Sequence, residues 1–248
     1  MLSTTILILA GLGAGALNAV AGGGTFLSFP ALVWIGVPPV MANATATLAA
    51  LPGYIGSALA FRHDIRTGEG PGLRAILVVA VLGGFLGAAL LLVTPQEVFS
   101  GVVPWLLLFA TAAFAAGPLL VKRLMRRGGG LSRGPALALL LAVAIYGGYF
   151  NGGLGIMLLA AFGVVGLSDL HAMNGLKNLV SAILSLVSVT TYAAAGLIDW
   201  ERAVILGLAC AAGGYLGAKA ARRITNMAAL RVFITLVGLC MAAAFFAL

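Results

Sequence analysis

Ten apolar stretches, separated by short polar or glycine-rich breaks, run the length of this chain. In the first half they cover residues 4–21, 25–37, 40–61, 73–94 and 98–121. In the second they cover 135–150, 154–167, 171–195, 200–221 and 227–248. A helix needs about 20 predominantly apolar residues to cross the hydrocarbon core of a bilayer. The third to fifth stretches of each half reach that length. The first two are shorter and bounded by glycine, so they read as a re-entrant pair or as broken spans. The pattern predicts an all-α polytopic membrane protein with about five helical segments in each half.

The glycine breaks come as a pair. The first is Asn18-Ala19-Val20-Ala21-Gly22-Gly23-Gly24-Thr25, and the second is Tyr149-Phe150-Asn151-Gly152-Gly153-Leu154-Gly155-Ile156. Other motifs repeat in step with them. Gly83-Gly84-Phe85-Leu86-Gly87-Ala88 recurs 130 positions later as Gly213-Gly214-Tyr215-Leu216-Gly217-Ala218, and Asn43 and Asn174 are 131 apart. Collinear matches of this kind predict two homologous repeats, 1–127 and 128–248, which together form one membrane domain. An odd number of crossings per repeat makes them inverted; if one member of each short pair spans alone, they become parallel. Glycine-interrupted segments at corresponding places in two repeats are the best sequence pointer to a transporter's binding site.

Composition agrees with a membrane setting. Hydrophobic residues make up 62% of the chain and charged ones 8%, against roughly a quarter charged in soluble domains. The formal charge of +8 is not read as a nucleic-acid footprint. The basic residues gather in short loops: Arg62, Arg66 and Arg74; Lys122 to Arg133; and Lys219, Arg222 and Arg223. Such clusters flank spans on the cytoplasmic side and meet anionic lipid. With all three inside, Thr94–Glu97 and Gly196–Asp199 lie outside, as do both termini. No basic residue precedes Arg62, so the first apolar run is read as membrane domain rather than as a secretory signal. Cys210 and Cys240 sit within apolar stretches at a spacing that fits no metal or redox motif. Neither a metal nor a cofactor is expected.

The candidate chemistry is that of an anion site. A glycine turn opening a helix inside the membrane presents backbone N–H groups at the positive end of the helix dipole. That assigns Gly22, Gly23, Gly24 and Thr25 in the first half, and Gly152, Gly153 and Gly155 in the second. Asn43, Thr45 and Thr47 are placed to complete the first side, and Asn151, Asn174 and Asn178 the second. Gly83, Gly87, Gly213 and Gly217 are read instead as close helix packing. Lys177 is the sharpest single residue, six positions beyond His171 and so about 9 Å into its helix. An ionisable group at such depth is a functional hypothesis by default; the alternative is a lysine reaching the interface or pairing with Asp169. Asp64, Glu69, Glu97, Asp169, Asp199 and Glu201 all map to loops or helix ends. No carboxylate is left in mid-span for a proton relay, nor one for intramembrane proteolysis, so an enzyme is not expected.

Gly22-Gly23-Gly24-Thr25 followed by Pro30, then Gly36-Val37-Pro38-Pro39 and Ala42-Asn43-Ala44-Thr45, resembles the sulfite exporter TauE/SafE family of membrane permeases. His171-Ala172-Met173-Asn174-Gly175-Leu176-Lys177-Asn178 resembles that family's second-repeat motif. The resemblance covers essentially the whole chain. It implies a secondary transporter of the cell inner (plasma) membrane, working by alternating access on a small anionic substrate such as sulfite or an organosulfonate. Alternatives are an anion channel, a permease for another organic anion, or a non-transporting membrane assembly factor. The second half departs from the first in two places: Leu154 replaces the middle glycine, and Asp169-Leu170 replaces Pro38-Pro39. The two sides of the site are therefore expected to differ in shape and charge.

Overall fold

The computed structural model describes residues 2–20, 23–65, 67, 71–126, 131–221 and 227–246. Among them are ten helices and no strand: α1 (Leu2–Val20), α2 (Thr25–Trp34), α3 (Pro39–Ala60), α4 (Leu73–Val93), α5 (Gln96–Arg126), α6 (Arg133–Tyr149), α7 (Leu154–Val165), α8 (Leu170–Ala194), α9 (Trp200–Ala221) and α10 (Met227–Phe246). An apolar chain in lipid must satisfy its backbone groups internally, and a helix does so within one segment. Each apolar stretch accordingly becomes one helix. α5 runs five residues past the expected end at 121, through Lys122 and Arg123 to Arg126. Lysine and arginine are good helix formers and suit the negative end of the dipole, so the charge does not stop the helix. α2 stops three residues early, because Gly36 turns the chain at φ +89°.

The helices that open the two long central segments are started by different devices. Pro39 stands in the first turn of α3, where a missing N–H costs nothing. At α8 the Asp169 carboxylate caps the helix, accepting from the N–H groups of His171 (2.9 Å) and Ala172 (3.4 Å). The Pro-Pro to Asp-Leu change thus preserves a helix start and adds a charge beside it.

α4, the first part of α5 (Gln96–Ala113) and α8 (from His171) are each long and apolar enough to cross a membrane. α3 matches them in length but carries Asn43, Thr45, Thr47 and Tyr54, all buried. Its polarity is turned into the protein rather than toward lipid.

Small residues set the packing. Gly11 lies against Leu206 and Ala209, and Gly15 against Cys210 and Gly214, so α1 and α9 run parallel at close range. α4 and α6 are likewise parallel, with Gly83 on Ala144 and Gly87 on Ile145 and Tyr149. A β-carbon added at Gly83, Gly87, Gly213 or Gly217 would overlap the facing helix. The two matching hexapeptides therefore do the same work at two crossings, α4 on α6 and α9 on α1. Between these pairs, α3 and α8 pack antiparallel: Gly175 meets Phe61, while Ala50 and Tyr54 meet Ala182. α2 folds back along α1, with Leu27 against Gly13. α7 folds back on α6, with Leu154 against Gly147.

Candidate functional site

Both breaks are buried, and they come together at the α3–α8 pair. At the first, the Asn18 side chain accepts from the Gly24 N–H at 2.8 Å. The amides of Phe26 and Leu27 bond back to the carbonyls of Gly23 and Gly24. The amide of Gly24 is thus already occupied by a side chain. Thr25, at the first position of α2, is buried. Gly22 lies outside the described residues, as do Arg66, Glu69, Arg127, Arg222 and Arg223.

The second break is built differently. Gly153 takes a left-handed conformation, φ +73°, which only glycine adopts without strain. The Gly152 carbonyl accepts from the Tyr146 hydroxyl at 2.7 Å. The turn's own hydrogen bonds are Leu154 N–H to Asn151, and Ile156 and Met157 N–H to Gly153; the amides of Gly153 and Gly155 are not among them. Those two N–H groups stand at the start of α7, where the helix dipole adds partial positive charge.

Asn151 is the junction between the halves. Its carbonyl oxygen accepts from the Tyr54 hydroxyl at 3.2 Å, and its amide donates to Ser185 Oγ at 3.1 Å. The same Tyr54 hydroxyl interacts with the Thr25 side chain. One phenol on α3 therefore touches the helix start after the first break and the asparagine within the second. Phe29 of α2 adds an edge-on contact with Phe150, centroids 5.6 Å apart.

The remaining candidates divide. Asn43 is fully buried; its amide donates to the Tyr149 carbonyl at 2.9 Å, while its own oxygen has no partner among the described residues. Thr47 bonds the Asn43 carbonyl one turn back, at 2.8 Å. Thr45 points elsewhere, accepting from the Asp199 N–H at 3.1 Å and so tying α3 to the start of α9. On α8, Asn174, Asn178, Ser181, Ser185 and Ser188 follow the spacing of a single helix face. Ser181 Oγ, fully buried, is another polar atom without a partner among the described residues. Lys177 borders this face at 8% exposure, and its Nζ donates to Asn174 Oδ1 at 3.2 Å. It does not pair with Asp169. Among the described residues the one ion pair is Arg202 with Asp199, at the start of α9.

The sulfite exporter TauE/SafE family matches residues 7–245 of the chain. The chain belongs to this family. TauE/SafE proteins are membrane transporters, and two curated relatives of this member carry matching descriptions. A probable membrane transporter protein of Haemophilus influenzae is 31% identical over 226 residues, covering 86% of this chain and 83% of its own. A probable membrane transporter protein, ORF9, of a Sinorhizobium species is 26% identical, covering 85% of this chain and 78% of its own. No solved structure matches the chain significantly.

Sequence reasoning missed Tyr54, Tyr146 and the capping role of Asn18. Tyr54 carried a faint signal: it stands 11 positions after Asn43, which is three helical turns and the same face of α3. Tyr146 carried none, since an aromatic in an apolar run reads as packing or as contact with lipid.

Proposed function

We propose that this TauE/SafE member is a secondary transporter of a small anion, a sulfur oxyanion or sulfonate, bound between two inverted repeats of residues 1–127 and 128–248. The observation that carries this reading is Lys177, a buried cation whose one hydrogen bond among the described residues goes to an uncharged asparagine. A buried charge is costly unless it is paired and hydrogen-bonded. An anion bound beside it supplies the missing partner. Ser181, one turn beyond Lys177 on α8, adds a buried hydroxyl without a partner among the described residues, and the amides of Gly153 and Gly155 stand outside the second turn's own hydrogen bonds. The antiparallel α3 and α8, and the parallel pairs α1 with α9 and α4 with α6, support the inverted arrangement. The protein then sits in the inner (plasma) membrane with its basic loops in the cytoplasm, and rocking of one repeat against the other exposes the site to each side in turn.

The test is sulfite and short-chain sulfonate binding to purified protein, with counterflow in proteoliposomes. Lys177→Met keeps the apolar stem and removes the charge. Affinity is expected to fall by about 2 kcal/mol or more, since truncating one partner of a buried charge pair commonly costs 2–5. Lys177→Arg rescues in part, because its planar fork is larger. Unchanged affinity in a folded Lys177→Met variant removes the cation from the site, and the absence of saturable counterflow removes the transporter reading itself.

A further inference from the structure

Two lipid-facing grooves flank the short helices, and they differ in a way that the transport reading does not use. The larger, about 500 Å³, lies between α5, α6 and α7 and is lined by Phe109, Ala116, Leu139, Val143, Met157 and Val164, among others. The smaller, about 340 Å³, lies between α1, α2 and α10 and ends at Trp34. The larger groove runs seven residues along α5, from Phe109 to Ala116, or about 10 Å. Its walls are apolar throughout.

The mouths of the two grooves carry different charge. Beyond Ala116, α5 continues to Arg123, seven residues or about 10 Å further on; Arg133 opens α6 six residues, about 9 Å, before Leu139. The Leu131 N–H bonds the Val164 carbonyl at 3.3 Å, which fastens the segment leading into Arg133 to the end of α7 at the groove's edge. Arg123 and Arg133 are both exposed. At the smaller groove, by contrast, α1 and α2 carry no lysine or arginine, and α10 brings a single one, Arg231, six residues before Val237.

We infer that the α5–α6–α7 groove holds one acyl chain of an anionic phospholipid whose phosphate headgroup is bound by Arg123 and Arg133. The occupant is chosen by complementarity. The groove offers hydrocarbon to hydrocarbon, and the basic residues stand where the chain ends and the headgroup begins. A zwitterionic lipid fills the same groove but gains less from the arginines. The position matters because Ile156 and Met157, at the start of α7, form the inner wall of the groove. Ile156 follows Gly155 directly, so an acyl chain there packs on the back of the second glycine break.

The test uses the full chain in detergent micelles doped with phosphatidylglycerol or phosphatidylcholine, with bound lipid counted by native mass spectrometry. Wild type is expected to retain phosphatidylglycerol at least about thirtyfold over phosphatidylcholine at low salt. Arg123→Gln with Arg133→Gln, both at the surface, should lower that preference roughly thirtyfold at low salt, the effect of two juxtamembrane basic residues. Ala160→Phe, which fills the larger groove, should displace the lipid with both arginines intact. Ala31→Phe, which fills the smaller one, should not. Equal retention of the two lipids overturns the inference, as does phosphatidylglycerol held unchanged by Ala160→Phe or by the double arginine variant. Displacement by inorganic phosphate alone would reduce the site to a headgroup contact, and a lipid-free dimer would give the groove to a second copy; either outcome also overturns it. None of these readouts depends on the transported anion.

Discussion

Tyr54→Phe removes one oxygen from the place where the two breaks meet, and its effect can be sized in advance. The lost hydroxyl donates to Asn151 Oδ1 at 3.2 Å, and Asn151 is 1% exposed. The asparagine keeps its bond to Ser185, but its oxygen is left buried without a donor. Leaving a buried acceptor unsatisfied costs about 1–3 kcal/mol. Hydrogen bonds between transmembrane helices measure nearer 0.6, with a maximum of about 1.7. The membrane value applies here, because an unfolded chain in lipid also finds partners, and we expect a loss of about 1 kcal/mol. Tyr54 lies in the first half and Asn151 in the second, so if the halves move against each other the bond favours the arrangement described here over its alternative. Removing about 1 kcal/mol shifts that balance about fivefold. Reversible unfolding of purified protein in mixed micelles measures the stability term. A double-mutant cycle with Asn151→Ala isolates the pair, with an expected coupling of at least about 0.5 kcal/mol. Cysteine accessibility on the two faces measures the shift in balance. Tyr192→Phe is the control: it loses a comparable bond to the Gly148 carbonyl, yet should leave the accessibility ratio unchanged. A coupling of zero between Tyr54 and Asn151, or equal accessibility shifts in the two phenylalanine variants, would refute the reasoning.

Three further outcomes are expected. Gly153→Ala should destabilise by about 1 kcal/mol or more, because alanine is strained at positive φ and its β-carbon would press on Ala110 at 3.0 Å; unfolding midpoints of the purified variant check this. Neutralising Asp64, Glu69, Glu97, Asp169, Asp199 and Glu201 one at a time should leave ion-driven accumulation measurable, since the sequence maps each to a loop or helix end; loss of accumulation with passive exchange preserved in a single variant would identify a proton carrier. Cysteine substituted at Gly129 should react with membrane-impermeant reagent only in inside-out vesicles, and cysteine at Ser3 only in intact cells; the reverse pattern would invert the topology.

The helices were legible because lipid leaves the chain few choices. An apolar run has to become a helix, and its ends fall where glycine, proline or a charge interrupts it. The packing role of Gly83, Gly87, Gly213 and Gly217 was legible for a related reason: the same hexapeptide served both crossings. The candidate site was legible only in outline. Asn151, Asn43 and Lys177 could be named because a polar group is expensive in an apolar run, but their partners could not. Tyr54 reaches Asn151 across 97 positions of sequence, and nothing local marks a tyrosine as bonded rather than buried. Thr45 has a partner that its motif did not suggest. It stands within the Asn43 motif, yet its hydroxyl serves the α9 start, because two residues along a helix turns a side chain about 200° away.

The two breaks look alike in sequence and differ in electrostatics. In the first, Asn18 already occupies the Gly24 amide. In the second, Tyr149 stands 131 positions after Asn18, and it contributes its carbonyl to Asn43 instead of a cap to the turn. The amides of Gly153 and Gly155 are left out of the turn's own bonds. The same asymmetry recurs on the long helices. Lys177 lies on α8, and the residue 131 positions before it on α3 is Ala46. Ala42, Ala44, Ala46, Ala49 and Ala50 are all buried, giving α3 a run of small, uncharged contacts. On the proposed reading, positive charge for an anion comes from α7 and α8. α3 supplies a surface of small residues to move against, held to the second half by the hydrogen bonds of Asn43, Thr45 and Tyr54. On the same reading, two repeats can hold a substrate chiefly through one half and release it by shifting the other, and the departures from symmetry at Leu154 and Asp169 would then fall on the half that supplies the charge.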